Sequence, residues 1–166
     1  MSGAEESHTK SRPRDLILKE RGLLSLLVAA VIGFAVSIYL TVVHYSGASL
    51  VCSTTSVINC QAVTTSAYSV LFGTSIPVSA AGIVWFLVSG ELAVVGLLKA
   101  YRSQAEPGWL RPVQLLWGLG GLIFVLYLVY AEIVLVHRIC EWCTLVHLLT
   151  LFSFMVALGR LANRKR

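Results

Sequence analysis

Four long apolar stretches, set apart by polar segments, organise the sequence. Leu23–His44 runs for 22 residues without a Lys, Arg, Asp or Glu. Ile76–Leu98 is interrupted only by Glu91, Val113–Val136 only by Glu132, and Cys140–Gly159 only by Glu141 at its mouth. At a helical rise of ~1.5 Å per residue, about twenty such residues cross a ~30 Å hydrocarbon core. A membrane strand needs only ~10 residues and a strict alternation that these blocks lack. The first block is also longer than the ~7–15-residue apolar core of a signal peptide, so it is expected to persist as a span. The pattern predicts an all-α membrane protein, a bundle of four transmembrane helices with a long loop between the first two.

Composition agrees with the pattern. The 166 residues are 57% hydrophobic and 13% charged, and the mean hydropathy is +0.80, whereas soluble domains carry about 25% charged residues. Too few charges remain to cover a water-facing surface, which excludes an ordinary cytosolic enzyme and a disordered chain. The net charge of +5 does not make a nucleic-acid binder, because the cations fall between apolar blocks rather than along one face.

Those cations set an expected orientation. Lys10, Arg12, Arg14, Lys19 and Arg21 precede the first block. Lys99, Arg102 and Arg111 lie at the second connection, and Arg160, Arg164, Lys165 and Arg166 close the chain. Only Arg138 falls on the other side, and Tyr45–Ser75 has no Lys or Arg. Both termini are therefore expected in the cytoplasm, with the first and third loops outside. The expected division is a polar tail over 1–21, disordered before Asp15, a four-span unit over 22–160, and a basic tail over 161–166.

All four cysteines fall on the outward side. Cys52 and Cys60 lie in the long loop, and Cys140-Glu-Trp-Cys143 opens the fourth span. Disulfides form and persist outside a bacterial plasma membrane or in the lumen of the endoplasmic reticulum. Two structural bridges are one reading of the set, giving a non-enzymatic four-span scaffold. A Cys-x-x-Cys bridge closes too short a ring to constrain the unfolded chain much, and short accessible bridges tend to be labile and catalytic. A helix N-terminus also favours a thiolate. A four-cysteine zinc site fits the spacing poorly, since no second Cys-x-x-Cys is present. The set reads best as two redox pairs, a loop pair placed to meet a soluble protein and a helix-mouth pair placed to meet something dissolved in the bilayer. A lipid-soluble quinone is the natural two-electron acceptor there.

The residues at this point resemble the vitamin K epoxide reductase family, and its bacterial members in particular. The carriers are Cys52 and Cys60, Ser66-Ala-Tyr68, Phe72-Gly73 leading to Ile76-Pro77, Tyr127-Leu-Val-Tyr130-Ala-Glu132, and the terminal Cys140-Glu-Trp-Cys143. A second group of four-span, quinone-linked proteins places its Cys-x-x-Cys in the first outward loop, the reverse of the order here. The resemblance implies that Cys140 and Cys143 act beside a quinone, with Cys143 donating to it and Cys140 resolving. It implies that Cys52 and Cys60 shuttle electrons, Cys52 bridging transiently to Cys140, and that Ser66 lies near the active pair. The implied cofactor is menaquinone, ubiquinone or phylloquinone, with no metal. The implied donor is a secreted thioredoxin-fold protein, expected here to be a separate chain because the sequence stops shortly after its last span. Vertebrate members carry a tyrosine where this chain has His147 and an asparagine where it has Val78, so epoxide reduction itself is not carried over.

Two further ionisable residues are candidates on their own account. His147 falls one helical turn from Cys143, able to bond a quinone carbonyl or carry a proton, or else a polar group satisfied within the bundle. Glu132, two turns before Cys140, could tune the thiols, take up a proton, or make a structural hydrogen bond. Ionisable groups within a membrane are costly. Glu91, remote from the cysteines, reads as structural, and Trp142 as an interfacial anchor.

Overall fold

The computed structural model describes residues 13–53, 55–71 and 73–163, with side chains described from Arg21 onward. The expected disorder before Asp15 falls almost wholly outside these residues, as do Lys10, Arg12, Phe72, Arg164, Lys165 and Arg166. Helix α1 spans Pro13–Ser46, so the later part of the expected N-terminal tail is helical and continuous with the first span. A short helix α2 covers Cys60–Thr64, and a single 3₁₀ turn covers Ala67–Ser69. Then come α3, Val78–Tyr101, α4, Leu110–Tyr130, a π-helical turn, Ala131–Val136, and α5, Glu141–Ala162. Among the described residues the only β-type pairings are two isolated bridges.

Four of these helices are long and apolar enough to cross a membrane: Arg21–Ser46, Val78–Tyr101, Leu110–Val136 and Glu141–Ala162. Their outer surfaces carry Val31, Val42, Leu116, Ile123, Leu126 and Leu148, all exposed. Apolar side chains facing outward have lipid as their natural solvent, and the backbone polar groups are closed within each helix. The chain is an integral membrane protein.

Small residues let the helices approach closely, as lipid-embedded packing requires. Helix α1 packs mainly on α3 and α5, and α4 on α5. A Cβ on Gly33 would lie 2.3 Å from the Phe86 ring, and one on Gly96 would lie 2.6 Å from Leu23, so α1 and α3 meet nearly backbone to side chain. Between α3 and α4 the contact is a reciprocal pair: Trp85 Nε1 donates to the Trp117 carbonyl (3.3 Å) and Trp117 Nε1 to the Trp85 carbonyl (3.2 Å). Pro77 stands just before α3 in an extended conformation, as its N-cap, rather than in the first turn.

Both described ends of the chain lie at one end of the bundle. There Arg160 is buried, its guanidinium bonded to Glu106 and Gln114. Arg111 bonds Glu106 (2.9 Å) and the Arg160 carbonyl (3.1 Å). Arg160 is thus a bonded element of the packed bundle.

Candidate active site at the cysteine end of the bundle

The opposite end gathers all four cysteines. Asn59 caps α2, its side chain accepting from Ala62 N–H at 3.0 Å, which fixes Cys60 as the first helical residue and buries it. Cys60 is bonded to Cys52, with their Cα atoms 6.2 Å apart. The loop is stitched to the Cys-x-x-Cys motif on both sides. Ile58 pairs with Ile139, Asn59 N–H donating to the Ile139 carbonyl (3.1 Å) and Ile139 N–H to the Val57 carbonyl (3.0 Å). Trp142 Nε1 donates to the Val51 carbonyl at 2.8 Å, and Ser53 N–H to Glu141 Oε2 at 3.4 Å. Trp142 also stacks at a tilt on Tyr39, ring centroids 5.1 Å apart. It ties the loop to α1 and α5.

Cys140 and Cys143 are free thiols. Cys140 is the N-cap of α5, its Sγ accepting from Cys143 N–H at 3.3 Å, as a helix N-terminus offers unpaired donors. The hydrogen bond from the Cys143 side chain, aided by that backbone N–H and opposed by burial, holds the Cys140 thiol below the ordinary range. Cys140 is fully buried in a cluster with Cys60 and Val63, with Cys52, Trp142 and Cys143 packed around it. The two thiols therefore differ in surroundings: Cys140 packs against the loop bridge, while Cys143 forms part of the wall of a cavity.

That cavity, about 290 Å³, is lined by residues from all four spans and from the loop. Its walls are mostly apolar, with Phe86, Phe124, Val125 and Leu128 prominent, and its polar groups are few: Ser66, His147, Glu132 and His44 among them. Small-molecule sites share this design, a greasy cleft of ~300–1,000 Å³ with a small number of placed polar groups. Ser66 Oγ donates to the Val63 carbonyl at 2.8 Å, which holds the hydroxyl at the cavity edge. Glu132 and His147 are 7% and 8% exposed. The Glu132 carboxyl faces the Cys143 thiol and the Cys140 backbone amide.

The π turn sets that direction. Its wider winding ends at His137 in the left-handed region (φ 56°), with the Glu132 carbonyl accepting from the His137 and Arg138 N–H groups. Turns of this type recur at functional sites.

The sequence model for the vitamin K epoxide reductase family matches residues 24–158. The chain belongs to this family. Members are membrane oxidoreductases whose chemistry couples thiols to quinone or vitamin K, generally with thioredoxin-like partners. Among curated proteins, none matches the sequence.

With the vitamin K epoxide reductase fold in hand, the seven candidate residues can be placed. Cys60 and Cys140 lie in one buried cluster with the half-buried Cys52 packed against it, and Cys143, Ser66, His147 and Glu132 all border the cavity. Val78 lines the cavity as well, while Glu91 lies exposed on α3. Sequence reasoning passed over His44, which ends the first apolar block and reaches the cavity from α1. As an ionisable group within a span it carried the same signal as His147.

Proposed function

We propose that this protein is a quinone-dependent disulfide-forming oxidoreductase that reoxidises a secreted thioredoxin-fold partner. Residues 22–160 form the working unit between cytoplasmic tails over 1–21 and 161–166. The cysteines face the outside of a bacterial plasma membrane, in keeping with the unequal distribution of Lys and Arg. The observation that carries the reading is the position of Cys143 in the wall of an apolar cavity, with Cys140 behind it against the Cys52–Cys60 bridge.

The steps follow from that arrangement. A reduced partner opens the Cys52–Cys60 bridge, and two electrons enter the loop pair. With the active pair oxidised, the freed Cys52 thiolate attacks Cys140 and breaks the Cys140–Cys143 bond. Cys60 then attacks Cys52 and breaks that transient bridge, so the loop is reoxidised and Cys140 and Cys143 become a dithiol. When the Cys140–Cys143 bond forms, their two electrons and two protons pass to a quinone in the cavity, giving a hydroquinone. Ser66 and His147 hold the ring oxygens. The free thiols at 140 and 143 beside an intact loop bridge match the state poised to reduce quinone. A scaffold with two structural bridges expects both pairs to be joined.

The test is steady-state quinone reduction by the purified protein with a reduced thioredoxin-fold donor. Wild type turns over, and Cys52→Ala loses donor-driven turnover. A protein that reduces no menaquinone, ubiquinone or phylloquinone, and whose bridge survives mild thiol buffer, contradicts the proposal.

A further inference from the structure

Glu132 is a buried carboxyl in a membrane span, and the relay just described assigns it no step. Leaving such a group in an apolar wall is costly unless it has work or partners. Three observations bear on what that work is. The π turn exists at this point in α4 and nowhere else among the described residues of the spans. It brings the carboxyl to face Cys143, the one cysteine on the cavity wall. Among the described residues, no other carboxylate lines the cavity.

We propose that Glu132 is a catalytic proton carrier, taking the Cys143 thiol proton and handing it to the quinone substrate. This rests on the quinone-reductase reading and deepens it. Glu132 as carboxylate accepts the proton and leaves Cys143 as thiolate. As the Cys140–Cys143 S–S bond forms, the electron pair leaves for the quinone. One oxygen of the reduced ring takes the proton held on Glu132, and the other takes the proton given up by Cys140. Glu132 returns to carboxylate, and the sum is one dithiol oxidised and one quinone reduced to hydroquinone. Other ionisable groups border the same space: Cys143 and His147 from α5, His44 from α1 and Tyr68 from the loop, with Cys140 at the α5 cap and none from α3. Arg138 reaches Glu132 only through its backbone N–H, its guanidinium being bonded to the His137 carbonyl.

A purely structural Glu132 would serve by accepting from the Cys140 amide, and a glutamine oxygen does that as well. Glu132→Gln therefore separates the two roles. The experiment is one turnover of the reduced active pair with a short-chain quinone, followed by stopped-flow absorbance from pH 5 to 9. Wild type shows a rate that falls toward acid as the carboxylate is protonated. Glu132→Gln folds with the loop bridge intact, loses at least ~100-fold in rate, and loses that acid limb. Glu132→Asp recovers part of the rate and keeps a limb. If Glu132→Gln does not fold, Glu132→Asp carries the test, with a slower rate and a displaced limb expected. Wild-type rate and pH profile in whichever variant folds overturn the proton-carrier role while the quinone-reductase reading stands. Absence of quinol from wild type overturns that reading first.

Discussion

Both ends of the bundle bury polar groups, and they use them in opposite ways. At the end that carries the start of α1 and the end of α5, Arg160, Glu106, Gln114 and Arg111 face one another across α4, α5 and the loop between α3 and α4. Among the described residues, the buried side-chain polar atoms there have protein partners, apart from the Arg160 Nε. At the cysteine end, Glu132, His147 and Cys143 face a cavity. Pairing within the protein makes a clamp, whereas polar groups turned toward a cavity make a site for something else. The reciprocal Trp85–Trp117 pair lies between these regimes, and Trp85 also borders the cavity.

The sharpest way to break this comparison is to unpair the clamp. Arg160 and Glu106 side chains are 6% and 5% exposed, so Arg160→Leu removes one of the cations bonded to a buried carboxylate, together with the bond to Gln114. The expected loss is about 3–5 kcal/mol of stability, read as a lower unfolding midpoint in detergent. Quinone reduction by the surviving folded fraction stays unchanged. A variant as stable as wild type would show that this end is not a clamp.

Next in size is a pair of neighbouring glycines. A Cβ on Gly121 would lie 2.5 Å from the Trp85 indole, whereas Gly120 has nothing within 4 Å. Gly121→Ala should cost about 1–3 kcal/mol by forcing Trp85 aside. Gly120→Ala should stay within about 0.5 kcal/mol, and a Cβ there takes space in the cavity. Thermal unfolding of the two variants side by side checks the contrast.

A smaller effect tests how firmly the loop is held to the motif. Trp142→Phe removes the hydrogen bond to the Val51 carbonyl but keeps most of the ring packing. It should cost about 1 kcal/mol and speed reduction of the Cys52–Cys60 bridge by dilute dithiothreitol. Equal reduction rates would show that Trp142 does not tether the loop.

The smallest effect is a pH shift. Because the Cys143 side chain holds the Cys140 thiol down, Cys140 stays a thiolate to lower pH than an ordinary cysteine, whose value is about 8.5. Thiolate absorbance of the reduced active pair should begin to rise below that pH. Cys143→Ala should move the onset upward, and an unchanged onset would assign the effect to the helix terminus alone.

The sequence made the four spans, the clustering of cysteines at one end and the α5 N-terminal place of Cys140 legible, because apolar run length and helix-end chemistry are local properties. The cavity was not legible, since it depends on how four helices leave space around Cys143. The π turn also escaped, because apart from Glu132 the segment Ala131–Val136 reads like the rest of an apolar helix. The pairing of Ile139 with the loop just beyond it is a tertiary contact that the sequence does not display. The bonds of Arg160 to Glu106 and Gln114 were not legible for a similar reason, since they join residues 46 and more positions apart.

The central claim is that electrons leave the protein through Cys143 into the cavity. Single-turnover quinol formation tests it most directly, starting from protein with the loop bridge intact, the active pair reduced and no donor present. The account predicts one quinol per chain and a new Cys140–Cys143 disulfide by mass spectrometry, with neither formed in Cys143→Ala. Quinol formation that persists in Cys143→Ala, or wild-type protein whose two thiols stay free while quinone remains oxidised, would contradict it.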